Sequence, residues 1–156
     1  MHVKLIWVGK TRSPSLRALA ADYLERLRHL IPCDIAEAKD AQRGSTRTRG
    51  QILSSEGAAI AKLLRADSRV VILEDTGTQL TSPDFACWLE KEQNQGTREL
   101  AFVIGGPDGV APEIAGRAFF RLSLGRMTWT HEMCRVLLLE QLYRAYAIQR
   151  KIPYHR

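Results

Sequence analysis

The chain has few of the residues that carry metal or disulfide chemistry, and it has no long hydrophobic run. It contains three cysteines and four histidines among 156 residues, with no Cys-x-x-Cys pair and no histidine at metal-ligand spacing. No apolar run approaches the roughly 18 residues of a membrane span, and no signal-like segment opens the chain. The sequence therefore predicts a cytoplasmic protein with reduced cysteines, no metal and no membrane partner.

The sequence also lacks the motifs of nucleotide-binding folds. There is no complete P-loop motif, no Gly-x-Gly-x-x-Gly after the first predicted strand, and no acidic residue about 20 positions beyond it to hold a ribose. The glycine-rich loop in 99–109 contains Pro107, which removes a backbone donor. These absences weigh against a nucleotide enzyme, and a flavodoxin-like nucleotide binder remains as an alternative.

What the chain does have is a regular alternation of strand-like and helix-like segments. Short β-rich apolar runs predict strands at 2–8, 33–38, 69–73, 99–104 and 119–124. Apolar residues at helical spacing predict helices from Ser13-Pro14 to Leu30, over 51–64, from Ser82-Pro83 to the polar 94–96, over 112–118, and after Thr130. Ser13 and Ser82 are the predicted N-caps of two of these helices, each followed by proline at the first helical position. The pattern predicts one α/β domain over 1–156, with a mostly parallel sheet flanked by helices on both faces.

The last predicted helix is apolar around most of its circumference, from Met133 to Ile148. A helix of this kind usually packs against the core and against a second surface. We therefore predict a homodimer. The formal net charge of +6 favours an anionic partner such as nucleic acid.

Three predicted strands end in unusual sequences, and they locate the candidate site. These ends are Leu73–Gly77, Ile104–Gly109 and Leu122–Trp129. In doubly wound sheets the ligand lies outside the carboxyl ends of the strands. The sequence predicts a site where these three segments meet.

Four motifs in these regions resemble a known family. The segments Val103–Gly109, Leu122–His131, Arg135–Tyr146 and Pro153–Arg156 are similar to those of the ribosomal RNA large subunit methyltransferase H family, a branch of the SPOUT methyltransferases. The similarity covers the whole chain, including its opening Lys-Leu-Ile-Trp-Val-Gly-Lys. One difference is Thr130, where relatives often have proline.

The resemblance implies a C-terminal trefoil knot and a homodimer that uses S-adenosylmethionine. The implied reaction is methylation of N3 of a pseudouridine in large-subunit rRNA of the ribosome. Because this cofactor has a sulfonium and no phosphate, it suits an apolar slot edged by backbone groups. The family's cofactor contacts carry over to Leu73, Gly105, Leu124, Gly125, Arg126, Met127, Thr128 and Trp129.

The same resemblance points to the tail and to the last helix as rRNA-facing and catalytic. It assigns such roles to Tyr154, His155, Arg156 and Arg144, with the tail completing the partner subunit's site. Methyl transfer to a ring nitrogen requires alignment and loss of a proton, so a positioned base would help. The candidate bases are His155, Glu140 and Asp108, and the role of Asp108 stays open.

Some of these residues also have a purely structural interpretation, and the chain has an alternative function. Glu140 and Arg144, four residues apart, could form only a surface ion pair. Most basic residues are simply solvated, and a non-catalytic ribosome-binding or RNA-binding module is the alternative function. If the chain does bind rRNA, the candidate phosphate contacts are Arg43, Arg47, Arg49, Arg126, Arg144, Arg150, Lys151 and Arg156.

Overall fold

A computed structural model describes residues 1–41 and 47–154 of the chain. Five strands and five helices alternate along it. The strands are β1 (His2–Val8), β2 (Cys33–Ala38), β3 (Arg69–Gln79), β4 (Glu99–Ile104) and β5 (Ala118–Ser123). The helices are α1 (Pro14–Arg28), α2 (Arg49–Ala61), α3 (Ser82–Asn94), α4 (Pro112–Ala115) and α5 (His131–Gln149).

The five strands form one sheet in the order β2-β1-β4-β3-β5, and every neighbouring pair is parallel. All five carboxyl ends therefore meet at one edge of the sheet. The predicted single-domain α/β architecture is confirmed, and the parallel pairing explains why β1 and β4 are almost continuously apolar.

Helices cover the two faces of the sheet unequally. On one face α5 packs between α1 and α3, and on the other face α2 packs with α4. Alternate side chains of a strand enter opposite cores, as in β4, where Leu100 and Phe102 pack with the first group and Ala101 and Val103 with the second.

The helix starts follow the predicted capping chemistry, with one correction. Ser13 caps α1 by accepting a hydrogen bond from the amide of Leu16 at 3.4 Å. The prediction that Ser82 caps α3 is wrong. The cap is Thr81, whose hydroxyl accepts the amide of Asp84 at 3.2 Å and whose backbone is extended, while Ser82 is already helical.

Several predicted boundaries also differ from the structure. Strand β3 continues beyond Leu73 to Gln79, because the chain pairs with β5 a second time after a register shift between Leu73 and Thr78. The short helix α4 ends at Ala115 rather than at 118, so β5 begins at Ala118 and ends one residue early. Helix α2 starts at Arg49, where Thr48 and Gln51 form a capping box, and ends before 64.

Most of the apolar circumference of α5 is covered within the chain. Its buried residues face the sheet, α1 and α3, while Met133 is exposed and Leu137 is half-buried. The intramolecular neighbours thus account for most of the pattern that led us to predict a dimer. In the described part of the chain, no helix combines the length and hydrophobicity of a transmembrane segment.

Candidate functional site

The three predicted strand ends surround one pocket of about 760 Å³ at the carboxyl edge of the sheet. Its wall comes from the irregular middle part of β3, from the ends of β4 and β5 with the segments that follow them, and from the start of α5. The site predicted where three strand ends meet therefore exists as a cavity. The wall consists of 73–76, 104–110, Ala115, 122–125, 127–131 and Cys134.

The part of the pocket wall that follows β4 is a tight turn, in which the backbone of Gly105 lies close to that of Gly109. The amide of Gly109 donates to the carbonyl of Gly106 at 2.9 Å, with Pro107 at the second position of the turn. A Cβ atom on Gly105 would overlap the carbonyl group of Gly109. Glycine at 105 is therefore required by the loop itself, and not only by space for a ligand.

The β5 wall is stabilised by the buried side chain of Ser123. The Ser123 hydroxyl donates to the carbonyl of Gly125 at 2.9 Å and lies 3.3 Å from the amide nitrogen of Gly125. This pair of contacts holds the chain in a turn directly after β5. Leu124 and Gly125 are thereby fixed at the pocket wall, while Met127 and Trp129 farther along remain exposed.

The charged groups on the described pocket wall are acidic, apart from the imidazole of His131. Glu74, Asp75 and Asp108 lie on the wall, and no lysine or arginine does. Arg121 binds both carboxylate oxygens of Glu74 at 3.0 and 2.9 Å. The guanidinium of Arg49 lies 3.8 Å from the carboxylate of Asp108. Both guanidiniums face wall carboxylates, and the described lining itself offers a phosphate no lysine or arginine, whereas an uncharged or cationic ligand meets no electrostatic obstacle.

Of the eight residues predicted to contact a cofactor, seven lie on this wall. They are Leu73, Gly105, Leu124, Gly125, Met127, Thr128 and Trp129. Arg126 is exposed and lies outside the described lining. The described residues contain no group of three His, Cys, Asp or Glu side chains placed to hold a metal ion.

Three of the four predicted catalytic residues form a second cluster, on α5 and the tail. Arg144 donates through Nε to Glu140 Oε1 at 2.9 Å, and Tyr154 donates to the same oxygen at 3.1 Å. The Arg144 guanidinium also lies 5.0 Å from the centre of the Tyr154 ring. Because Glu140 is also bonded to the tail, the pair is more than an isolated surface ion pair. His155, like Arg43 and Arg156, lies outside the described residues.

Tyr23 of α1 completes this cluster, and the sequence analysis did not assign it a role. Its hydroxyl lies 3.0 Å from that of Tyr154. Because Tyr154 gives its single proton to Glu140, Tyr23 must donate to the Tyr154 oxygen. Burial first, and then these neighbours, raise the pKa of Tyr154. Tyr154 is therefore a neutral hydrogen-bond donor and not a base at ordinary pH.

This cluster and the pocket are separate within one chain. None of Glu140, Arg144 and Tyr154 appears on the described pocket wall. Glu140 lies six residues beyond Cys134, the last residue of α5 on that wall. This separation corresponds to about 9 Å of helix rise.

The sequence analysis also missed the residues that join α5 to the β1–α1 loop. The Glu132 carboxylate accepts the amides of Arg12 at 2.8 Å and Ser13 at 3.1 Å, which lowers the pKa of Glu132. The loop includes Gly9-Lys-Thr11, the last three residues of a P-loop motif, although Lys4 stands where that motif has its first glycine. Because Glu132 already accepts the amides of Arg12 and Ser13, these two amides at the end of the loop are not open to a phosphate.

Comparisons with known proteins identify the family of the chain. The family model described as "Predicted SPOUT methyltransferase" matches residues 1–155. Proteins named "Ribosomal RNA large subunit methyltransferase H" from Citrifermentans bemidjiense, Geobacter sulfurreducens and Porphyromonas gingivalis are 41%, 39% and 36% identical to the chain, and each alignment covers 99% of both proteins. The chain therefore belongs to the SPOUT methyltransferases and, within them, to the ribosomal RNA large subunit methyltransferase H family.

Proposed function

We propose that the protein uses S-adenosylmethionine to methylate N3 of a pseudouridine in large-subunit rRNA, acting as a cytoplasmic homodimer on the ribosome. The relatives' names support an rRNA substrate and methyl transfer. The identity of the nitrogen follows from the family resemblance. The finer residue roles below are part of the same proposal.

The observation that carries the proposal is the chemistry of the pocket wall. It combines apolar side chains such as Leu73 and Trp129 with backbone groups of two tight turns, and its described edge has carboxylates but no lysine or arginine. S-adenosylmethionine joins an uncharged nucleoside to a cationic sulfonium, and both parts fit such a wall. A nucleotide with phosphates does not.

When bound, the cofactor supplies a methyl group that a ring nitrogen can attack. The chain's own task is to hold the two reactants in line, because alignment provides a large part of the rate enhancement in such displacements. In our proposal Leu73, Gly105, Leu124, Gly125, Met127, Thr128 and Trp129 bind the cofactor. Exposed Arg126 faces the RNA backbone instead of the pocket.

The proton on N3 must leave during the reaction, and the second cluster constrains which group receives it. Tyr154 is a hydrogen-bond donor with a raised pKa. The Glu140 oxygen Oε1 already accepts hydrogen bonds from Arg144 and Tyr154, so it is not open to the nucleotide. We infer that Glu140, Arg144 and Tyr154 position the RNA and the tail, and that His155 is the candidate base.

A homodimer would bring the two clusters together. Met127, Trp129 and Met133 are large apolar side chains exposed around the pocket and the start of α5. A groove of about 350 Å³ between α3, the end of β5 and α5 continues this surface through Leu137. A second copy docked here would cover these apolar residues and could place its tail at the neighbouring pocket.

One experiment tests the function directly. Ribosomes lacking the modification are incubated with the protein and labelled S-adenosylmethionine, and the rRNA is examined by mass spectrometry. We expect one methyl group on N3 of a pseudouridine. If the protein binds ribosomes and transfers no methyl group, the alternative of a non-catalytic ribosome-binding module is correct. A flavin or nucleotide retained through purification would favour a flavodoxin-like binder.

A further inference from the structure

The most unusual charge in the described structure is Arg135 of α5, whose side chain is fully buried. Within 1–41 and 47–154 it forms no salt bridge, although its guanidinium lies 5.0 Å from the centre of the Trp7 ring, and burial lowers the pKa of the guanidinium. Its nitrogens Nη1 and Nη2 donate to the Thr11 hydroxyl at 2.8 Å and to the Val8 carbonyl at 2.6 Å. Burying an unpaired cation is costly, so these bonds to the β1–α1 loop call for an explanation.

Glu132, which lies one helical turn before Arg135 on α5, also binds the β1–α1 loop. Its two carboxylate oxygens accept the backbone amides of Arg12 and Ser13. Together Glu132 and Arg135 bind the chain at Val8, Thr11, Arg12 and Ser13. Two successive turns of α5 therefore hold the loop in one conformation.

The loop held in this way lies beside the candidate site. Strand β1 pairs with β4, with Trp7 opposite Ile104, so the segments after both strands leave the same edge of the sheet. The segment after β4 is a pocket wall, and His131, which precedes Glu132, is also on the wall. The β1–α1 loop is thus attached to the pocket through α5.

The loop presents cations to solvent. Lys10 and Arg12 of the loop are exposed, as is Arg17 in the first turn of α1, and the Arg12 side chain retains 85% of its accessible surface. Its guanidinium lies 3.7 Å from Asp40, itself 41% exposed, and a pair this open is too weak to hold the arginine in place. We call Glu132 and Arg135, with their hydrogen bonds to the loop, the clamp. The clamp holds only the backbone of Arg12, so the Arg12 side chain can contact a ligand.

We propose that the β1–α1 loop is a phosphate contact for the RNA substrate, with Lys10 and Arg12 binding the backbone of the nucleotides next to the target. This inference rests on the proposed function. Phosphate contacts position an RNA without reading its sequence, and a fixed loop does so at a lower entropy cost than a mobile one. The buried Arg135 and the carboxylate of Glu132 supply that rigidity.

The chain offers a closely matched control at the opposite edge of the sheet. Arg98 precedes β4, its side chain is 83% exposed, and it lies 3.8 Å from Asp67, which is 43% exposed. Arg12→Ala and Arg98→Ala therefore remove the same charge from equivalent surroundings. Of the two, Arg12 follows β1 and lies at the carboxyl edge of the sheet, where the pocket opens, whereas Arg98 lies at the amino edge.

The test measures binding of large ribosomal subunits lacking the methylation, over a series of potassium concentrations at fixed magnesium. We expect Arg12→Ala to weaken binding several-fold and to reduce the slope of log affinity against log salt by about one. Lys10→Ala combined with Arg12→Ala should reduce it by about two. Arg98→Ala should leave the slope unchanged, and S-adenosylmethionine affinity should stay constant in all three variants.

A second variant tests the clamp by an effect of opposite sign. Glu132→Gln removes a negative charge near the RNA, so electrostatics alone predicts tighter RNA binding. If the clamp matters, the Arg12 and Ser13 amides exchange hydrogen faster and RNA affinity falls instead. Glu90→Gln on the exposed surface of α3 is the control for loss of one acidic charge.

The possible results separate this inference from the proposed function. Equal salt slopes for Arg12→Ala and Arg98→Ala, with normal methylation by the wild-type protein, overturn the phosphate contact alone. Unchanged or tighter RNA binding by Glu132→Gln overturns the clamp. A wild-type protein that does not bind the subunits at all overturns both the inference and the function on which it rests.

Discussion

At the scale of single residues, the three cysteines differ in ways that report on the pocket. Cys134 is half-buried on the pocket wall, and burial raises the pKa of its thiol. Cys87 is exposed on α3, away from the pocket. Burial raises the pKa of Cys33 to about 12, so this thiol stays protonated and unreactive in the folded protein.

We therefore expect iodoacetamide to modify Cys87 first, Cys134 more slowly, and Cys33 only after unfolding. Saturating S-adenosylmethionine should slow the modification of Cys134 and leave the rate at Cys87 unchanged, because the ligand covers only the pocket wall. Peptide mass spectrometry over a time course measures each rate. Equal rates at Cys134 with and without the cofactor would place the cofactor elsewhere.

The hydroxyl chain from Tyr23 through Tyr154 to Glu140 predicts energetic coupling between distant positions. Tyr23→Phe removes one hydrogen bond and should lower the free energy of unfolding by about 0.5–1.5 kcal/mol, whereas Tyr154→Phe removes two and should lower it further. The double variant should lose less than the sum, because the two variants remove one shared bond.

Urea denaturation of the four proteins gives this double-mutant cycle. The control is Tyr143→Phe. The Tyr143 ring packs against Tyr154 at 4.8 Å, yet its hydroxyl makes no hydrogen bond within the described part of the chain. Tyr143→Phe should lower the free energy of unfolding by less than Tyr23→Phe or Tyr154→Phe does. Additive losses at Tyr23 and Tyr154 would show that their hydroxyl contact does not stabilise the protein.

At the scale of secondary-structure elements, the irregular pairing of β3 with β5 shapes the pocket. The β5 residue Leu122 is opposite Leu73 and again opposite Thr78, so residues 74–77 bulge out of the pairing. A Cβ atom on Gly77 would lie 2.8 Å from the backbone carbon of Leu122 and 2.9 Å from that of Arg121. The bulge therefore lets β3 contact the β5 backbone directly.

We expect Gly77→Ala to force β3 and β5 apart and to cost about 1–3 kcal/mol of stability. Because Glu74 and Asp75 lie on the bulge, cofactor affinity should fall as well. Thermal unfolding and calorimetry measure the two effects. Gly96→Ala is the contrasting variant. Gly96 has open space around its Cβ position and a φ of +77°. The Gly96→Ala protein should therefore lose stability through backbone strain and keep its cofactor affinity. Equal cofactor affinity in the Gly77 variant would argue against a role for the bulge in binding.

The elements themselves were largely predictable, since their signals are local. Ser13-Pro14 and Thr130 mark helix starts by their own side chains, and the β4 run is apolar because both faces are covered. Parallel strands whose ends lie at one edge also made the pocket predictable. The bulge after Leu73 was not, because it depends on how β5 pairs with β3 rather than on its own sequence.

The long-range contacts could not be predicted either, because they too depend on segments that are distant in the sequence. Tyr23 and Tyr154 are 131 positions apart, and Arg135 and Thr11 are 124 apart. No periodicity relates such residues, and Tyr23 is indistinguishable in sequence from an ordinary apolar position of α1. Only the packing of α1 against α5 brings them together.

At the scale of the whole molecule, the predicted catalytic residues that the structure describes do not lie on the described pocket wall of their own chain. Glu140, Arg144 and Tyr154 form one cluster, and the cofactor candidates form another. The proposed dimer resolves this if the tail of one subunit acts at the pocket of the other. The trefoil knot implied by the family resemblance stays a prediction.

Mixed dimers test the shared site. We expect two variants to be inactive alone: a truncation lacking residues 154–156, which keeps its pocket, and Gly105→Val, whose side chain disrupts the β4 loop. After the subunits are mixed and allowed to exchange, each mixed dimer has one intact pocket facing one intact tail. Random exchange makes half of the dimers mixed, so about a quarter of wild-type methylation should return. Activity is measured by methyl transfer to ribosomes, and exchange is verified by native mass spectrometry. If mixed dimers form and remain inactive, the tail acts at the pocket of its own chain, because in that arrangement no subunit carries both an intact pocket and an intact tail.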